Sequence, residues 1–183
     1  MAGEKILIVE DEADQARMMT LWLEQNGYEV ITAHDGVEGL DRALHERPEM
    51  IILDLRLPKL PGIQLLQALN SHGFTPPTII VTAYSSDEIA VQALRLGVRD
   101  YLRKPFDLGD LLNAVQRVLE EARLRQERDA FFEELEQRVE ELTRLQQVSL
   151  HLVQISLETD IKDLYRKLNE QAVTLLDAEM SAI

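Results

Sequence analysis

The sequence predicts an α/β fold: a five-stranded, parallel, doubly wound sheet followed by a long C-terminal coiled-coil helical extension. Two observations carry this expectation. Five short apolar runs alternate with amphipathic helical patterns through the front of the chain, the order that builds a parallel sheet with helices on both faces. All eight glycines and all six prolines of the 183 residues lie at or before position 109, and Asp110 to Ile183 contains neither. Turns need these residues and long helices avoid them.

The runs are Lys5-Ile-Leu-Ile-Val9, Tyr28-Glu-Val-Ile-Thr32, Met50-Ile-Ile-Leu53, Thr78-Ile-Ile-Val-Thr82 and Asp100-Tyr-Leu102. Three are almost continuously apolar, as strands covered on both faces require. The first helix is expected from Ala13 to Asn26, stopped by Gly27, and the second from Gly36 to Arg47, stopped by Pro48. The third runs from Ile63 to Ser71 before Gly73, and the fourth from Ser86 to Leu96 before Gly97. Asp107 opens the last helix, whose Leu108, Leu111, Leu112, Val115 and Leu119 form a core-facing stripe.

Composition narrows the function. Acids number 33 against 19 lysines and arginines, a net charge of −14. That disfavours nucleic-acid binding and polybasic membrane anchoring, both of which need positive surface. The absence of cysteine excludes disulfides, thiolate metal sites and thiol nucleophiles. No apolar run approaches a membrane span and no signal-peptide core follows Met1, so a cytoplasmic location is expected. His34, His45, His72 and His151 show no ligand spacing.

In open parallel sheets, function gathers at the carboxyl ends of the strands. Here the first run ends in Glu10-Asp11-Glu12, the third in Asp54 and the fourth in Thr82-Ala83, while Lys104-Pro105 follows the fifth. Each residue alone has an ordinary reading as a helix cap, a turn acid, a strand residue or a solvated lysine. Together they would converge on one crevice. Several carboxylates in one crevice repel unless a cation sits among them, and an all-oxygen donor set suits a hard ion such as Mg2+. A carboxylate beside Mg2+ and an ammonium group is suited to phosphoryl transfer, and the Thr82 hydroxyl can donate a hydrogen bond.

Residues 4 to about 122 resemble a response-regulator receiver domain, which is a flavodoxin-like fold. The resemblance rests on Ile8-Val9-Glu10-Asp11-Glu12, Asp54, Leu57-Pro58, Pro61-Gly62, Thr82-Ala83 and Tyr101-Leu-Arg-Lys104-Pro105-Phe106. It implies that Asp54 accepts a phosphoryl group from a histidine-kinase phosphohistidine or a phosphotransfer protein in a two-component phosphorelay. It implies Mg2+ ligation by Asp11, Asp54 and the backbone carbonyl of Arg56, with Glu10 acting in the acidic pocket through water. Lys104 would pair with phosphoryl oxygens, Thr82 would swing towards them, and Tyr101 would follow Thr82 as the aromatic switch. Pro105 matches the proline after a cis Lys-Pro bond. Arg56 and Tyr84 stand at positions that influence phosphate lifetime, and two large side chains there imply slow-to-moderate dephosphorylation.

The rear of the chain is expected as a coiled-coil linker helix over 123–156. Phe132, Leu135, Val139 and Leu142 follow three-four spacing, and the pattern shifts phase to Leu142, Leu145, Ser149, Leu152 and Ser156. An unbroken helix from Asp107 to Ile155 would be about 70 Å long, too long to bury its seam within one small domain, so a parallel homodimer through 123–156 is expected. Thr159-Asp160 would cap a separate helix bearing Ile161, Leu164, Leu168, Ala172 and Leu175, with a turn into a strand from Asp177. Residues 157–183 thus resemble the opening of a GAF sensor domain, cut short, with a downstream output that these residues do not identify. The domains expected are therefore 1–122, 123–156 and 157–183.

Two other functions fit less well. A metal-dependent phosphatase on a related scaffold would want an acid two residues after the nucleophile, where this chain has Arg56. A purely structural dimerisation module would leave the acidic pocket vestigial, yet none of its members is missing.

Overall fold

A computed structural model describes residues 3–83 and 92–180. The elements are β1 (Lys5–Val9), α1 (Ala13–Gln25), β2 (Glu29–Ala33), α2 (Gly36–Glu46), β3 (Met50–Leu53), α3 (Gly62–Ser71), β4 (Thr78–Thr82), β5 (Val98–Arg103) and α4 (Leu108–Met180). The strands form one sheet in the order β2-β1-β3-β4-β5, with every pairing parallel. This is the doubly wound α/β architecture expected. Of the helix expected between Ser86 and Leu96, residues 92–95 are helical, Leu96 lies in the turn that follows, and residues 86–91, with Tyr84, lie outside the described residues.

Strand pleating explains why β1, β3 and β4 are apolar on both sides. Leu7, Val9, Ile51, Leu53 and Ile80 bury one face against α2 and α3, where Ala43, Leu65 and Leu69 cover them. Ile6, Ile8, Met50, Ile52, Ile79 and Val81 bury the other face against Met19 and Leu23 of α1 and Leu111, Val115 and Val118 of α4. Successive residues point to opposite faces, so a strand covered twice is apolar along its middle and carries polar side chains only at its ends, as at Lys5, Thr78 and Thr82.

Two strands differ from their expected limits. β2 starts at Glu29 because the Tyr28 N–H closes the end of α1 on the Leu23 carbonyl at 3.2 Å, and it extends to Ala33, the partner of Val9. β5 extends to Val98–Arg103, since its register with β4 runs from Thr78↔Val98 to Thr82↔Arg103.

The chain divides into two units, Met1–Gln126 and Glu127–Ile183. In the second, the helix continues through Thr159 and Asp160, and Asp177–Met180 is helical. The expected cap at Thr159 and turn at Asp177 are therefore corrected. A Thr-Asp pair without Gly or Pro nearby does not stop a helix whose neighbours are mostly Leu, Glu, Gln, Lys and Ala. Among the described residues no helix is long and apolar enough to cross a membrane.

Candidate functional site

The parallel register brings the strand ends level: Val9 pairs with Leu53, Leu53 with Ile80, and Val81 with Leu102. Residues just past those pairs therefore share one edge. Glu10 is held there by its N–H to the Ala33 carbonyl (3.0 Å), Asp54 by its N–H to the Val9 carbonyl (2.9 Å), and Lys104 by its N–H to the Thr82 carbonyl (3.0 Å). The Lys104–Pro105 peptide is cis, as the sequence resemblance implied.

Lys104 Nζ donates to Glu10 Oε2 at 2.6 Å and to Asp54 Oδ2 at 2.7 Å. Both carboxylates are nearly sealed, Glu10 at 1% exposure and Asp54 at 6%. The other Asp54 oxygen, Oδ1, accepts the Arg56 N–H at 2.9 Å. One oxygen each from Glu10, Asp11 and Asp54 lies within 4.8 Å of the other two, and Asp11 is exposed. Arg56, Thr82 and Phe106 line the same open cleft. All the donors are oxygens and two of the three carboxylates are buried, so the set fits a hard divalent cation.

The electrostatics follow from burial against pairing. Burial pushes the Glu10 carboxyl above the ordinary glutamate range, and the Lys104 hydrogen bond offsets only part of that rise. Burial alone would lower the Lys104 ammonium. Its hydrogen bonds to Asp54 and Glu10 outweigh that penalty and hold it above the ordinary lysine value.

Thr82 is buried at the end of β4. Tyr101 pairs with Ile80, so pleat alternation puts it on the same sheet face as Thr82, where it packs against the α2–α3 core. Burial raises the Tyr101 hydroxyl pKa. The site residues expected from sequence thus fall into two groups. Glu10, Asp11, Asp54, Arg56, Thr82 and Lys104 share the cleft, and Tyr101 stands one pleat repeat inward.

Sequence reading passed over two features. A Cβ on Gly62 would lie 2.5 Å from the Asp54 carbonyl oxygen and 2.9 Å from Leu55 Cα, so α3 begins directly against the backbone of Asp54. Asp35 caps α2, accepting the N–H groups of Val37 and Glu38 at 2.9 Å, and it also accepts from Lys59 Nζ. The signal for the cap was present in Asp35-x-x-Glu38, an acidic variant of the capping-box spacing. Nothing in the sequence signals its pairing with Lys59.

The geometry agrees with comparison to known proteins. Residues 6–116 match the response regulator receiver domain. The chain belongs to that family. This receiver is 40% identical over 119 residues to the regulatory protein AtoC of Escherichia coli K12, covering 65% of this chain and 26% of AtoC. It is 38% identical over 117 residues to PhoP of Bacillus subtilis 168, the alkaline phosphatase synthesis transcriptional regulatory protein, covering 64% of this chain and 49% of PhoP. The chain therefore spans between a quarter and a half of those relatives. Among solved structures, the signal receiver domain of a LuxO repressor protein from Vibrio parahaemolyticus superposes with a TM-score of 0.65 at 28% identity, covering 68% of this chain and 95% of that one. A CheY-like receiver domain from Methanospirillum hungatei JF-1 gives 0.62 at 33% identity, covering 65% and 95%. The family match ends at residue 116, within α4, and the relatives and structures named here cover between 64% and 68% of this chain.

Proposed function

We propose that this receiver is the phosphoacceptor of a two-component phosphorelay, with Asp54 as the accepting residue. An Asp54 carboxylate oxygen attacks phosphorus, the phosphorus–nitrogen bond to the donor histidine breaks, and the imidazole leaves with the bonding electron pair and takes up a proton. Asp54 is left as an acyl phosphate. Lys104 exchanges its bond to the free carboxylate for a phosphoryl oxygen, and the Thr82 hydroxyl donates to another. Tyr101, on the Thr82 face of the sheet, reports that movement to the surface. Asp11, Asp54 and the Arg56 carbonyl would hold Mg2+, with Glu10 behind them, and that ion when bound offsets charge on the transferring group.

The observation that carries this reading is the bridging Lys104 ammonium, 2.6 Å from Glu10 and 2.7 Å from Asp54, with Asp11 alongside. Incubation with a small-molecule phosphodonor and Mg2+ is expected to label the chain once, and Asp54→Asn to remove the label. Label persisting on that variant would move the chemistry to another residue.

The same proposal includes a parallel homodimer through residues 123–156, passing the phosphorylation signal to a downstream sensor or output domain. Phe132, Leu135, Val139 and Leu142 are between 45% and 65% exposed on the helix, and three-four spacing gives them a common side. Sedimentation should report a dimer that survives removal of 159–183 and not removal of 123–183. A monomer at high micromolar concentration would reject it.

A further inference from the structure

The cleft draws its oxygen ligands from two chain segments, residues 10–11 after β1 and residues 54–56 after β3. One short turn, residues 33–36 between β2 and α2, touches both sides of that arrangement. On the first side, the Ala33 carbonyl accepts the Glu10 N–H at 3.0 Å, and His34 Nδ1 lies 3.3 Å from the Glu10 carbonyl oxygen. Both backbone polar groups of Glu10 are thus met by consecutive residues of one turn.

On the second side, the turn holds the loop that follows Asp54. The Gly36 N–H donates to the Pro58 carbonyl at 3.3 Å. A Cβ on Gly36 would fall 1.8 Å from the Leu60 carbonyl oxygen, so only glycine allows this approach. Lys59, in the left-handed region with φ 64°, sends its Nζ to Asp35 Oδ2. Asp35 is itself fixed, because its other oxygen caps α2 through the N–H groups of Val37 and Glu38. A side chain held by a helix N-terminus is a rigid anchor for a loop whose Lys59 side chain is otherwise 65% exposed.

We infer that the Asp35–Lys59 ion pair is a positioning pair for the divalent-cation site, holding the 54–61 loop at a set distance from the Glu10–Asp11 segment. The inference rests on the receiver reading above. Neither residue touches the ion. Asp35 and Lys59 act through the loop backbone, and the ligand positions they govern are Asp54 and the Arg56 carbonyl relative to Asp11. Metal affinity depends on such outer contacts because a hard ion tolerates little displacement of its ligands.

The test turns on a sign. Lys59→Gln removes a cation near a divalent-ion site, and by Coulomb's law alone that tightens binding. Loss of positioning weakens it. Calorimetric titration of the full chain with magnesium chloride, with no phosphodonor present, is expected to give about 3- to 10-fold weaker binding for Lys59→Gln, below the roughly 10- to 100-fold typical of groups that contact a ligand directly. Lys59→Arg keeps the pair and should restore affinity close to that of the parent chain. Lys59 is largely exposed, so the thermal midpoints of Lys59→Gln and Lys59→Arg without metal should stay close to that of the parent, which separates positioning from general loosening, while Asp35→Asn is titrated where it is fully folded. Should Lys59→Gln fold poorly, Asp35→Asn provides the second route, since it keeps a capping oxygen and loses the charge. Unchanged or tighter binding in these variants, with the parent chain binding normally, overturns the positioning role alone. A parent chain that binds no magnesium overturns the receiver-site reading and this inference with it.

Discussion

Lys104 at the end of β5 reaches past β4 to Asp54 at the end of β3, closing a 2.7 Å contact between residues 50 positions apart. The same ammonium group meets Glu10 beyond β1, so one cation balances two nearly sealed carboxylates. Three strands of the sheet are tied at one edge by a single side chain. That tie also sets the resting charge of the pocket, which a bound divalent ion would alter.

Lys104→Met should therefore destabilise the metal-free protein. Removing one partner of a fully buried ion pair costs about 3–5 kcal/mol, and this cleft is open to water on one side, so roughly 1–3 kcal/mol is expected. Millimolar Mg2+ should recover part of that loss by supplying the missing positive charge. Urea unfolding with and without Mg2+ measures both numbers. Equal stability of the variant and the parent without metal would show that the lysine does not balance the pair.

Gly62→Ala places a methyl group 2.5 Å from the Asp54 carbonyl oxygen and 2.9 Å from Leu55 Cα. Both neighbours are backbone, so relief requires the start of α3 or the Asp54 segment to move. Overpacking of this kind costs about 1–3 kcal/mol, and the displaced Asp54 should take phosphoryl groups more slowly. Chemical denaturation and the rate of labelling by a small phosphodonor should fall together. A stable variant labelled at the parent rate would show that the contact has no bearing on the site.

How far these features were legible depends on what surrounds each residue in the chain. Glu10 directly follows the apolar run Ile6–Val9 and Asp54 follows Met50–Leu53, so the change from apolar to acidic marked both a strand end and a site. The limits of β2 and β5 were less legible, because pairing with β1 and β4 decides where they stop and a partner is invisible in a local window. The Asp35–Lys59 pair was hidden for a related reason: it joins a helix cap to a lysine 24 residues away whose neighbours give no sign of a turn towards α2. Thr159 misled in the opposite sense. It carries a capping hydroxyl, yet with helix formers on both sides the chain continues as helix.

The Asp35 carboxyl predicts a pH dependence. Its pKa lies below the ordinary aspartate range, held down first by the Lys59 hydrogen bond and then by the Glu38 N–H, with Glu38 lowered in turn by the His34 N–H. A depressed folded-state pKa adds stability that is present above the unfolded value of 3.8 and is lost as pH falls through the lower folded value. Asp35→Asn should therefore be less stable than the parent at neutral pH, and the gap should narrow as pH falls below 3.8. Denaturation midpoints for the pair across that range test this. A gap that stays constant with pH would mean the charge on Asp35 is irrelevant and only its capping oxygen matters.

Arg56 bears on how long a phosphorylated state would last. It lines the cleft two residues after Asp54, with its N–H on Asp54 Oδ1, so its long side chain starts beside the carboxylate that would carry the phosphoryl group. Hydrolysis of an acyl phosphate needs a water in line behind phosphorus, and bulk at the rim restricts that approach. The phosphorylated parent is expected to decay slowly to moderately in Mg2+. Arg56→Ala should shorten the half-life several-fold while labelling by a phosphodonor continues. Phosphate release after removal of the donor measures it directly. A parent half-life of seconds, or an alanine variant that decays at the same rate, would remove Arg56 from the control of signal lifetime.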